Sequence, residues 1–167
     1  MADTQENLKS AFAGESQANR RYLFFAEKAD EEGQSGVARL FRAAAESETV
    51  HARNHLKTMG GIKSTGDNLK VASEGELYEF TKMYPSFIEQ ARTEKNSDAE
   101  VSFDWANKVE KIHHRLYQKA LEDLEAGKQA KDDPYFVCQG CGYTVAGAAP
   151  EKCPVCGAPR DMFKRVE

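Results

Sequence analysis

The chain has 167 residues, 27 acidic and 23 basic, for a net charge of −4. That is enough for one sizeable core, or one core with a small module, and it offers no broad positive field for nucleic acid. No run approaches the ~18 apolar residues of a membrane span, and the opening "MADTQENLKS" lacks the basic-then-apolar order of an export signal.

The apolar spacing predicts four helices. The first runs over about 4–31, with Leu8, Phe12, Ala18, Tyr22, Phe25 and Ala29 on one stripe and Glu15 as its acidic intruder. The second starts with Ser35 as its cap and runs to about Met59, where "GG" stops it. The third covers about Asn68 to Ala91 and carries "MYPSF", whose Pro85 should bend or interrupt it. The fourth, capped by Ser97 or Asp98, reaches about Gly127. Four such stripes specify a helical bundle. From "KQAKDDPYF" the texture changes to short aromatic runs, Gly and Cys. A boundary near 128–134 is therefore expected, with a helical domain over 1–133 and a small metal-nucleated module over 134–167.

Several acids fall where a plain bundle would not place them. Glu15 sits on the stripe of helix one, Glu48 and His51 form an ExxH element, and Glu110 and His113 form another. Glu76 pairs with Glu79 as ExxE. Residues three apart share a helix face, and an unpaired buried carboxylate is costly. Taken singly, each pair is an ordinary solvated motif. Taken together, Glu15, Glu48–His51, Glu76 and Glu110–His113 supply one Glu from each of two helices and ExxH from each of the others, the donor set of a ferritin-like di-iron site. Oxygen and imidazole donors suit iron, with manganese or zinc as alternatives. His114, beside His113 in "VEKIHHRLY", competes for the same role. The matched ExxH spacing favours His113 and turns His114 toward the bundle's edge. His55 is expected at a surface or interface. Glu79 is a further carboxylate one turn from Glu76, and Tyr22 and Tyr84 each lie about two turns from a proposed ligand. Either tyrosine is positioned to hydrogen-bond a carboxylate or simply to pack.

All four cysteines lie in "CQGC" and "CPVC", eleven residues apart. Cys138, Cys141, Cys153 and Cys156 form two compact knuckles suited to a tetrahedral four-thiolate site, for iron or for zinc. Such knuckles, in a chain without an export signal, favour a reducing cytoplasm over a disulfide-stapled tail. Tyr135, Phe136, Tyr143 and Phe163 are expected to jacket them.

The segments "GESQANRRY", "ESETVHARNHL", "GELYEFTKMYPSF" and "EKIHHRLY", followed by "CQGCGY" and "CPVCG", resemble the rubrerythrin family over nearly the whole chain. The resemblance implies a ferritin-like four-helix bundle followed by a rubredoxin-like domain. It carries ligand roles to Glu15, Glu48, Glu76, Glu79, Glu110 and His113, with Glu48 and Glu110 bridging, and makes His51 the ligand that exchanges with Glu79 as the iron changes oxidation state. Tyr22 and Tyr84 match family tyrosines near the site. Two non-haem irons and one four-cysteine iron are implied, with zinc as an alternative occupant. The implied activity is reduction of hydrogen peroxide in oxidative-stress defence, with electrons passed from the cysteine iron to the di-iron pair. NADH or NADPH would be the indirect donor, through a separate reductase or rubredoxin. Oxygen-reducing oxidase or ferroxidase activity at the same site is the alternative.

The connection between helices two and three, about residues 60–67, is shorter than in the longer-linker family pattern. Eight residues reach at most about 28 Å. Bringing Glu48 level with Glu76 needs about 28 Å of return before any sideways crossing. A homodimer with swapped helical hairpins is therefore expected, as is a cysteine module near the partner's di-iron site.

Overall fold

The computed structural model describes residues 3–129 and 133–166. Part of the expected boundary region, residues 130–132, lies outside the described residues. Two units emerge, Met1–Lys63 and Ser64–Glu167.

The first unit is a hairpin of α1 (Thr4–Glu31) and α2 (Ser35–Thr58). Helix α1 opens with a capping box: the Asp3 carboxylate accepts from the Glu6 backbone N–H, and Glu6 accepts in return from that of Asp3. Ser35 is the first helical residue of α2 rather than its cap. Gln34 takes the cap position without a side-chain bond, following Gly33 at φ +72°. The seam between the helices is alanine: Ala18, Ala26, Ala29, Ala38 and Ala45 are buried. Small residues let the backbones close in. Asn19 bridges the seam, donating to the Ala45 carbonyl at 2.7 Å and the Thr49 hydroxyl at 2.9 Å. The large side chains lie elsewhere. Phe24 is 60% exposed and Leu40 67%, so the hairpin leaves apolar surface of the kind that normally marks an interface.

The second unit contains α3 (Thr65–Tyr78), a π-helical turn over Glu79–Met83, α4 (Tyr84–Thr93) and α5 (Ser97–Glu125). The predicted third helix is thus α3 and α4 joined by the π turn. Pro85 has no N–H to return to Thr81, and its ring crowds that carbonyl. The chain responds one residue earlier, where the Tyr84 N–H reaches back five positions to the Glu79 carbonyl. The interruption therefore falls on Glu79. Helix α5 is capped by Asn96, which accepts from the Ala99 N–H, and not by Ser97 or Asp98. The turn before it places Lys95 at φ +56°, which shifts the start of the helix by one residue.

The unit ends in a three-stranded antiparallel sheet ordered β2-β1-β3, from β1 (Tyr135–Cys138), β2 (Thr144–Ala146) and β3 (Phe163–Val166). Tyr135 pairs with Ala146 on one side and Val166 on the other. Tyr143 and Phe163 meet edge to face at 6.3 Å, whereas Tyr135 is exposed and does not join the expected jacket.

Candidate metal centres

Within the first unit, ligand atoms of Glu15, Glu48 and His51 gather within 4.8 Å of one another. Glu15 comes from α1 and the ExxH pair from α2, with His51 Nδ1 2.8 Å from Glu48 Oε2. Tyr22 packs with Phe25 and Phe41 at ring separations of 6.4 and 6.2 Å.

The second unit repeats the pattern with Glu76 from α3 and Glu110 and His113 from α5. His113 Nδ1 lies 2.7 Å from Glu110 Oε2 and 3.7 Å from Glu76 Oε1. Burial, then the Glu110 carboxylate, pushes the Glu76 carboxyl up to about 7, with His113 opposing. His113 is itself raised, chiefly by its bond to Glu110. Carboxylates this crowded hold protons that a cation would displace, and carboxylate oxygen with imidazole nitrogen is a donor set iron accepts. The residues fit a metal. Because Glu76 holds its proton below about pH 7, and the raised His113 must also lose one to bind, cobalt affinity at this trio is expected to fall at least about tenfold per pH unit as pH drops below 7. Calorimetric titration across that range checks the slope.

Glu79 lies outside the trio but borders it. Burial, then Glu110, raises its carboxyl, while His113 lowers it. Tyr84 is raised by burial and by the Glu110, Glu79 and Glu76 charges. Tyr117 is raised by burial and by Glu76 and Glu110. Tyr117 is not among the residues expected at the site, although it follows Glu110 by seven positions as Tyr22 follows Glu15. His114 turns away: its Nδ1 lies 2.9 Å from both the Ser73 carbonyl and the Ser73 hydroxyl, and its ring packs on Phe80 at 5.6 Å.

The four cysteines converge as a second kind of site. Cys138 and Cys156 sulfurs are 3.6 Å apart and those of Cys141 and Cys153 3.5 Å. Those are close to the edges of a tetrahedron about a metal with bonds of about 2.3 Å. Burial raises the Cys153 thiol, but N–H groups of Cys156 and Val155 outweigh it and bring it down to about 7. Gly142 at φ +83° and Gly157 at φ +77° let the chain turn after each knuckle. A methyl at Gly157 would meet no neighbour, so Gly157→Ala tests backbone strain alone. It is expected to cost about 1 kcal/mol, read as an earlier thermal release of the module's metal.

The cysteine module seats on α5 of its own chain. Gly142 lies against Val109, which is 2% exposed, and Thr144 Oγ1 is 3.0 Å from His113 Nε2. Thr144, three residues after Cys141, therefore borders the Glu76–Glu110–His113 trio of the same chain.

Comparison with known proteins agrees with this architecture. The rubrerythrin family model matches residues 6–121, and that of the rubrerythrin rubredoxin-like domain matches 136–164. Rubrerythrin-2 of Clostridium acetobutylicum is 36% identical, covering 98% of this chain and 96% of its own length. Nigerythrin of Nitratidesulfovibrio vulgaris is also 36% identical, over 98% of this chain and 86% of its own. A solved structure of nigerythrin in its fully reduced, all-ferrous state superposes with a TM-score of 0.59, covering 99% of this chain and 88% of that one. The expected fold class, ferritin-like helices followed by a small rubredoxin-like four-cysteine domain, is the one found.

Proposed function

Because this chain belongs to the rubrerythrin family, we propose that it reduces hydrogen peroxide to water at a di-iron centre fed by its four-cysteine iron. The observation that carries this reading is the pair of matching Glu-plus-ExxH trios, one of them in contact with the cysteine module through His113 and Thr144. Iron held at the two trios would supply the two electrons that cleavage of the peroxide O–O bond consumes. The protein supplies the rest. Glu15, Glu48, His51, Glu76, Glu110 and His113 hold the metals, and their six side chains divide evenly between the hairpin units. At Glu79, on the π turn, and at Tyr84, burial and neighbouring carboxylates disfavour the anion, so each holds a proton more readily than the free group does. Two protons are needed for each peroxide reduced, and in this reading Glu79 relays them. Cys138, Cys141, Cys153 and Cys156 hold the one-electron iron, which a separate reductase or rubredoxin reloads, with NADH or NADPH as the ultimate donor. A reducing cytoplasm suits four free thiols. Among the described residues no helix is long and apolar enough to cross a membrane.

The active form in this proposal is a homodimer with exchanged hairpins. Helix α2 ends at Thr58 and α3 begins at Thr65, so the connection spans at most about 25 Å. In a ferritin-like bundle α2 and α3 run parallel, and bringing Glu48 level with Glu76 requires about 31 Å along the axis alone. The connection is about 6 Å short of that return, which supports exchange. In this proposal each trio closes on that of a partner, which also covers the apolar face around Phe24 and Leu40.

Anaerobic metal analysis followed by peroxide titration tests the reaction. About three irons per chain, and oxidation of the reduced protein by peroxide faster than by oxygen, are expected from the two donor sets. Faster consumption of oxygen would replace the peroxidase reading with an oxidase.

A further inference from the structure

We propose that Thr144, in the cysteine module, is a positioning residue that fixes the His113 imidazole with Nδ1 turned to the carboxylates. Thr144 Oγ1 donates its hydrogen to the Gly142 carbonyl at 3.0 Å. With that hydrogen committed, the oxygen is left as an acceptor, and the polar atom facing it is His113 Nε2 at 3.0 Å. Nε2 therefore carries a proton and donates it to Thr144. The other nitrogen, Nδ1, is the one that faces Glu110 and Glu76. A hydrogen bond to one ring nitrogen selects which nitrogen meets a metal.

The hydroxyl cannot drift far from this geometry. It sits at the start of β2, paired with Val137 of β1, and the knuckle before it packs on Val109, one turn ahead of His113 on α5. Docking of the module and orientation of His113 are thus one event. The same atoms form a short chain from a sulfur ligand to an imidazole: Cys141 is bonded to Gly142, whose carbonyl accepts from Thr144, which accepts from His113.

The second arm of the test rests on the di-iron reading and the first does not. The full-length protein, with zinc in the cysteine site alone and His113 protonated on both nitrogens, is compared as wild type, T144V and T144S. Nitrogen-15 NMR should show the His113 Nε2 proton exchanging with water at least about tenfold faster in T144V and near the wild-type rate in T144S. Zinc affinity at the helical trio should then weaken about 10- to 100-fold in T144V and recover in T144S. Equal exchange in T144V and wild type overturns the proposal. So does the absence, in the wild type, of a nuclear Overhauser contact between that proton and the Thr144 methyl, a readout that needs no variant to fold. A wild type that protects the Nε2 proton yet takes no zinc at the helices would sink the di-iron reading and leave the Thr144 contact standing.

Discussion

His113→Ala is expected to reduce peroxide turnover by at least about a hundredfold, whereas His114→Ala leaves turnover per loaded site close to wild type. Loss of partners that merely support a metal ligand already costs 10- to 100-fold, so removing the ligand itself should cost no less. His113 Nδ1 stands among two carboxylates, 2.7 Å from Glu110 and 3.7 Å from Glu76. With it gone, the trio becomes a pair of carboxylates sharing a proton, and iron content per chain should fall from about three toward two or fewer. His114 serves the fold instead. Its ring bonds Ser73, which is 7% exposed, so His114→Ala strands a buried polar group and should cost about 1–3 kcal/mol. Iron analysis and peroxide kinetics separate the two histidines. Similar iron loss in both variants would overturn the assignment.

The adjacent histidines also show how much was legible beforehand. The ExxH spacing repeated on two helices is a property of sequence that favours His113, and it is His113 that gathers with Glu76 and Glu110. What His114 does instead could not be read, because its partner Ser73 lies 41 residues away on another helix. Pro85 announced an interruption of helix three, but not that the strain would surface at Glu79 as a π turn. That depends on which carbonyl loses its donor and on how the Tyr84 N–H finds the next one. The caps moved by one residue for a similar reason. Ser35, Ser97 and Asp98 are good cap residues, yet Gly33 and Lys95 take left-handed backbone and hand the cap to Gln34 and Asn96. Thr144 carried no signal at all: its role arises only when β2 is laid against α5.

The alanine seam and the exposed face of the first unit point in one direction. A two-helix hairpin whose buried residues are small has closed its backbones tightly and kept its large side chains for another surface. The second unit gathers the other candidate trio, Glu76, Glu110 and His113. In the proposed reading each trio is one half of a di-iron site, and the short connection between α2 and α3 is the reason the other half is assigned to a partner chain.

Mixing two inactive variants should therefore restore activity. One carries Glu48→Ala and His51→Ala, the other Glu110→Ala and His113→Ala, so each homodimer has both of its sites damaged. If hairpins are exchanged, a dimer of one chain of each kind gathers both lesions into one site and leaves the other site with all six ligands intact. Random reassociation makes about half the dimers mixed, each with one working site, so turnover should return to about a quarter of wild type per chain. If each site is built from a single chain, every site in the mixture keeps one lesion and nothing is restored. The outcomes differ as about a quarter of wild-type turnover against none, rather than by a shift in a constant. Refolding the two variants together, against each refolded alone, reads the difference, with iron content confirming that rescued turnover comes from reloaded sites. Lengthening the connection after Lys63 by about ten residues of Gly and Ser adds roughly 30 Å of reach. That insertion should let the trios close within one chain, shift the protein toward monomer and abolish the rescue.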